Sequence, residues 1–287
     1  MSRLAVAKTY KLYIGGAFPR SESGRVYEIS STKGQFVANA AQASRKDARD
    51  AVRAARAAQS GWAGKTAYNR GQVLYRIAEL LEGRRAQFVE EIVDLEGVST
   101  AVARAQVDEA IDLWVWYAGW ADKYVQVSGT ANPVAGPYFN LSVPEPTGVV
   151  AVVAPQDATG SLLGFVATVA PAILSGNTVV VVANERAPLS AITLSEILAT
   201  SDVPGGVVNV LTGSVAEIAP WLASHADVNA VDLAGAGDLD WAELEAEAAG
   251  TLKRVLRPPE SGVVEAGLDR ITTLTETKTV WHTKGMI

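Results

Sequence analysis

Cysteine is absent from all 287 residues, and only two histidines and two methionines occur. The first absence excludes disulfides, thiolate metal sites and a cysteine nucleophile. His225 and His282 stand far apart and outside any metal-ligand spacing, so no metal site is expected. Positive charge is also scarce: 25 Lys and Arg against 31 Asp and Glu leave a net charge of −6. That excludes broad attraction to nucleic acid or to an anionic membrane surface. Neither a GxSxG elbow nor a P-loop is present. No apolar run reaches membrane-spanning length, and MSRLAVAKTYKLYIGG lacks the apolar core of a signal peptide. A cytoplasmic location with no membrane partner is the expectation.

What is present is a composition able to bury a full core, 48% hydrophobic and 20% charged. The organising stretch runs from Glu145 to Gly213. Three β-branched runs, Val149–Val153, Thr178–Val182 and Val207–Leu211, alternate with two segments of helical apolar spacing. This is a βαβαβ pattern, the mark of a parallel sheet. The runs are apolar on consecutive residues, so both faces should be covered by helices. The fold class expected is α/β, a Rossmann-like parallel sheet flanked by helices.

Upstream, Tyr10–Phe18 reads as a short strand and turn against the outside of the body. Ser44 with Asp47 resembles a capping box, followed by an apolar face at Ala48, Val52, Ala55 and Ala58. Further helices carry Leu74, Ile77 and Leu81 before Gly83, then Phe88, Ile92 and Leu95 before Gly97. A fourth starts near Ser99 and carries Trp114, Tyr117 and Trp120. That aromatic stripe is read as core or subunit contact. From Tyr124 to Val143 two extended runs flank a Gly, Asn and Pro-rich loop, a β-hairpin whose edges are templates for another strand. Asp232, Asp238, Asp240, Glu243, Glu245 and Glu247 read as a solvated helix face and its start.

The runs PTGVVAVVAP, VAPAILSGNTVVV, APLSA and VPGGVVNVLTG, with LYIGGAF upstream and LTETKTVWH near the end, resemble the cofactor domain and last strand of the aldehyde dehydrogenase superfamily. The resemblance implies a cofactor-type domain at 1–121 and 147–257. It implies an oligomerisation arm made of a β-hairpin and the C-terminal strand, at 122–146 and 272–287. The family places its catalytic domain where this sequence has only LRPPESGVVEAGLDRITT. Residues 258–271 are therefore expected to be a linker in its place, and the chain a truncated member lacking the catalytic domain.

Matched position by position, the family's chemical groups are altered. Asp157 stands where an asparagine would stabilise an oxyanion, and its charge opposes that role. Pro258 stands where the general-base glutamate is carried, and Glu260 nearby reads as a solvated loop carboxylate. Val182 replaces a ribose-binding lysine, while Glu185 matches the ribose glutamate or serves as a helix N-terminal carboxylate. Gly235 and Gly237 match the pyrophosphate turn, a geometry able to present N–H groups to phosphate. Asp238 and Asp240 beside it add negative charge, one of them suited to capping the next helix.

No catalytic residue and no bound cofactor are therefore expected, with NAD(P) as the lesser alternative through Glu185, Gly235 and Gly237. The function implied is a non-catalytic subunit that associates through its arm strands. Its partner is a full-length aldehyde dehydrogenase or a second copy. The alternative is an NAD(P)-binding oxidoreductase or a nucleotide-sensing homodimer.

Overall fold

The computed structural model of the protein describes residues 8–285. Three short strands, β1 (Thr9–Tyr10), β2 (Val26–Ser30) and β3 (Phe36–Ala41), form a small sheet in the order β1-β3-β2. Just beyond, Tyr13 exchanges backbone hydrogen bonds of 3.0 and 2.7 Å with Val210, so this segment covers an edge of the main sheet.

Four helices follow, α1 (Arg45–Ala63), α2 (Ala67–Gly83), α3 (Arg85–Glu96) and α4 (Thr100–Trp120). Ser44 and Asp47 form the full capping box on α1, Thr66 accepts from the Asn69 N–H and Ser99 from the Val102 N–H. Each side chain satisfies an N–H that the first helical turn leaves unpaired. Gly97 ends α3 at φ 68°, a left-handed conformation that a Cβ would strain. On α4, Trp114 and Tyr117 are fully buried in the core.

Tyr124–Ser128 is a helical segment, α5, and not the first extended run of a hairpin. Its alternating apolar residues imitate a strand. They follow directly on α4, however, and the Gly129 N–H closes on the Val125 carbonyl at 2.7 Å, while Tyr124 is buried. The hairpin proper is β4 (Thr130–Asn132) and β5 (Tyr138–Pro146).

The main body is β6 (Val149–Val153), α6 (Ser161–Leu174), β7 (Thr178–Val182), α7 (Leu189–Leu198), β8 (Val208–Leu211), α8 (Val215–Ser224), β9 (Ala230–Asp232), α9 (Trp241–Ala249) and β10 (Arg254–Leu256). Its five strands are parallel, in the order β10-β9-β6-β7-β8. The third expected strand starts at Val208, because the Val207 N–H closes the preceding turn on the Pro204 carbonyl at 3.1 Å. Alternate residues feed two cores. Val150, Val152, Val179 and Val181 face one, with α2 to α4, α6 and α7. Val149, Ala151, Val153, Val180 and Val182 face the other, with α1, α8 and α9. Burying a valine fully contributes about 1.5–3 kcal/mol, which draws strands without polar alternation to the centre of the fold.

After β10 the chain runs through an irregular segment to α10 (Leu268–Thr273) and β11 (Thr275–Thr283). β11 pairs antiparallel with β5 from Thr275↔Pro146 to Thr283↔Tyr138, giving an arm sheet in the order β11-β5-β4. No helix among the described residues is long and apolar enough to cross a membrane.

Candidate functional site

Strand order reverses between β6 and β9, so their carboxyl ends define the crevice where open parallel α/β sheets bind ligands. Four polar side chains organise this edge. Gln156 donates to the Ala154 carbonyl (2.6 Å) and accepts from the Glu185 N–H (2.8 Å). Asn184, buried, donates to the carbonyls of Pro155 (3.1 Å) and Asp157 (3.0 Å) and accepts from the N–H groups of Arg186 and Ala187. The loops after β6 and β7 are thus tied to each other. Glu96, at the end of α3, accepts from the N–H groups of Gly160 (2.8 Å) and Ser161 (2.9 Å), capping α6 with a carboxylate from another helix. Asp232, the fourth, closes β9. None of these roles follows from spacing, because each partner is remote in sequence or is a backbone group.

Asp157 itself is exposed, and its carbonyl accepts from Asn184. Pro258 lies two residues beyond β10, and Glu260 is exposed in the loop after it. Asp157 and Pro258 lie beyond the ends of different strands, β6 and β10, with β9 between those two in the sheet. Glu185 is exposed in the loop after β7, where its Oε2 accepts from the N–H of Val215, the first residue of α8, at 3.2 Å. The same residue's carbonyl accepts from the Tyr27 hydroxyl at 3.2 Å. Burial, and then the Glu185 charge, push that hydroxyl's pKa up.

Gly235 and Gly237 differ in kind. The Gly235 N–H donates to the Val153 carbonyl at 2.9 Å, and a Cβ there would overlap the Ala154 carbonyl oxygen. Only glycine lets the β9 loop lie against the end of β6. Gly237 is exposed, with open space in front of it. Asp240 caps α9 through the Glu243 N–H at 3.1 Å.

Asp232 departs from the solvated reading. It is fully buried on β9, accepts from the Ala234 N–H at 3.1 Å and forms an ion pair with Arg270 of α10. Burial raises its pKa, and the Arg270 guanidinium opposes that rise. The carboxylate ties the segment after β10 to the central sheet. A charge closing an otherwise apolar, all-buried strand was the available signal, although its partner lies 38 residues away.

Set beside known proteins, residues 18–257 match the model of the aldehyde dehydrogenase family. Mouse cytosolic 10-formyltetrahydrofolate dehydrogenase is 31% identical over 263 residues, 89% of this chain and 29% of that protein. The crystal structure of HpcC from Thermus thermophilus superposes with a TM-score of 0.81 at 29% identity, covering 86% of this chain and 47% of that one. An NAD-dependent aldehyde dehydrogenase from Sinorhizobium meliloti gives 0.79 at 27% identity, covering 87% and 50%. The chain thus spans about half the length of those solved structures and less of the curated relative.

Two expectations are corrected. The reading of a truncated member lacking the catalytic domain does not stand, because the matches run through 86–89% of this chain and align it with full-length proteins of the aldehyde dehydrogenase fold. The expectation of no cofactor is overturned by the likeness to an NAD-dependent enzyme. The residues at the strand ends accommodate that cofactor class in part. Glu185 offers an exposed carboxylate suited to ribose hydroxyls, and Gly237 an open turn, whereas Val182 is buried and apolar.

Proposed function

We propose, from the premise that this chain belongs to the aldehyde dehydrogenase family, that it is a non-catalytic subunit which binds NAD(P) on its parallel sheet and joins a partner through its arm sheet. One observation carries the first part. The chain has no cysteine, so it does not hold the thiolate that attacks an aldehyde in this family's chemistry. Asp157 in place of an amide donor, and Pro258 in place of a carboxylate base, point the same way.

Bound NAD(P) supplies a hydride acceptor. The chain's own residues would hold it: Glu185 by accepting from ribose hydroxyls, and Gly237 by leaving the backbone open to phosphate, while Gly235 keeps the turn tight against β6. Titration of NAD(H) against the protein, followed by the fluorescence of its 7 tryptophans and by calorimetry, tests this reading. A saturable signal weakened in Glu185→Ala is the expected result. No saturable heat at millimolar nucleotide would refute it.

For association, the arm sheet offers the outer edges of β4 and β11 together with the exposed side chains Phe139, Leu141 and Trp281. The partner favoured is a full-length aldehyde dehydrogenase, whose surface takes up the arm. A second copy is the competing outcome. A cytoplasmic setting agrees with the name of the mouse relative, which is cytosolic. Native mass spectrometry of the protein from its own source reports partner and stoichiometry together. A monomer at endogenous concentration rejects association.

A further inference from the structure

The small N-terminal sheet carries a feature that none of the foregoing uses. Where the end of β1 meets the start of β2 across β3, the loop around Gly24 closes a recess of about 260 Å³. Its walls hold three cations, Lys11, Arg20 and Arg25, with Thr9, Ser21 and Asn39 as uncharged polar groups, and no carboxylate lines it. In a chain with six more acidic than basic residues, this is a local inversion of charge. Among the described residues Lys11 and Arg20 form no ion pair, and Arg25 shares one with Glu217 at 2.9 Å. Ser21 is buried and its hydroxyl is committed to Asp47 at 2.7 Å, which fixes the loop that carries Arg20. Gly24, at φ 70°, has open space where a side chain would stand, so the mouth stays clear.

We propose that this recess is a binding site for a small phosphate monoester. The Arg20 guanidinium offers a planar fork that matches phosphate oxygens and Lys11 adds a point charge, while Arg25, shared with Glu217, contributes its remaining N–H groups. The volume lies just under the lower end of about 300 Å³ for small-molecule sites, room for a phosphate and a body of a few carbons. Glu217 and Asp47 are held by Arg25 and Ser21, and on the sheet itself Glu28 shares the Asn39 register position with Thr9 and stays outside the lining.

The recess shares no lining residue with Glu185, Gly235 and Gly237, so its test uses different variants and a different probe from nucleotide binding. Glycerol 3-phosphate and inorganic phosphate are titrated separately into the full chain by calorimetry at low ionic strength. The monoester is expected to saturate, and to bind more tightly than inorganic phosphate because its carbons fill the recess. Arg20→Ala and Lys11→Ala should each weaken it about 5- to 10-fold, as loss of a charged hydrogen bond does. Glu28→Gln should tighten it. Arg53→Ala, which removes an exposed arginine on α1, should leave it unchanged. Lys11 and Arg20 are both exposed, so their variants keep the fold, and a thermal melt checks this. Three results overturn the proposal: no saturable heat with either probe up to about 20 mM, a range that already admits very weak sites; equal binding in both cation variants; or equal loss in Arg53→Ala, which marks diffuse charge attraction only.

Discussion

Replacing Arg270 by methionine isolates the buried charge at the end of β9. Asp232 is fully buried, while Arg270 is about 15% exposed and reaches it from α10. Methionine keeps much of the aliphatic bulk and removes the guanidinium, leaving a carboxylate in the core with one remaining partner among the described residues, the Ala234 N–H. Breaking a buried pair on one side costs about 3–5 kcal/mol, a large share of a typical stability of about 5–15 kcal/mol. At about 2–4 °C per kcal/mol for a domain of 150–250 residues, the melting temperature should fall by roughly 6–20 °C at neutral pH.

The pH dependence separates this cause from lost packing. Burial raises the Asp232 pKa above its ordinary value of 3.8, so between the two values the folded state binds more protons than the unfolded state. Stability from this group therefore falls as pH rises through that window. Arg270 opposes the rise; without it the folded pKa climbs further, and the loss of stability extends to higher pH. The gap between wild type and Arg270→Met should be small near pH 4 and widest above neutrality. Asp232→Asn combined with Arg270→Met should recover most of the loss. Differential scanning calorimetry across this range is the assay. A gap that does not change with pH, or a double variant no better than the single one, would refute an electrostatic role.

Other perturbations have distinct outcomes. Gly235→Ala forces the β9 loop off the Ala154 carbonyl and should cost about 1–3 kcal/mol in chemical denaturation, whereas Gly237→Ala, in open space, should stay within about 0.5 kcal/mol. Glu96→Gln keeps the shape but withdraws the charge from the start of α6, and should cost about 1–2 kcal/mol with faster amide exchange at Gly160 and Ser161. Trp281→Lys places a charge on the exposed arm face beside Tyr138. It should lower the assembled fraction in native mass spectrometry without changing the melt of the separated chain.

What could be read from the sequence was what depends on local pattern. β6 and β7 declared themselves because five consecutive apolar or β-branched residues serve two cores at once. The starts of α1 and α4 were equally plain, since a cap is a contact within three residues. α5 was misread because YVQV satisfies strand alternation while its hydrogen bonds close locally. Pro258 could be placed after β10 from the match to the family, but the path onward could not. The Asp232–Arg270 pair that directs the chain into α10 joins residues with no shared periodicity. Charge near a glycine turn was read as solvated, and for Asp240 the capping role expected there was correct.

The polar residues at the carboxyl edge divide into two sets by what they bond. Gln156, Asn184, Glu96 and Asp232 spend hydrogen bonds on backbone groups, and so hold the loops after β6, β7 and β9 in one arrangement before any ligand arrives. Glu185 and Gly237 remain exposed on that held framework. Loops that are already ordered lose little entropy on binding, so a nucleotide meeting this edge would find its contacts in place. Asn184→Ala separates the two sets. It removes four hydrogen bonds from the loops and none from Glu185's side chain. If preorganisation matters, this variant should weaken NAD(H) binding several-fold while raising amide exchange across 156–159 and at Arg186 and Ala187, whose N–H groups Asn184 accepts from. Unchanged affinity with faster exchange would show that order in these loops does not govern binding.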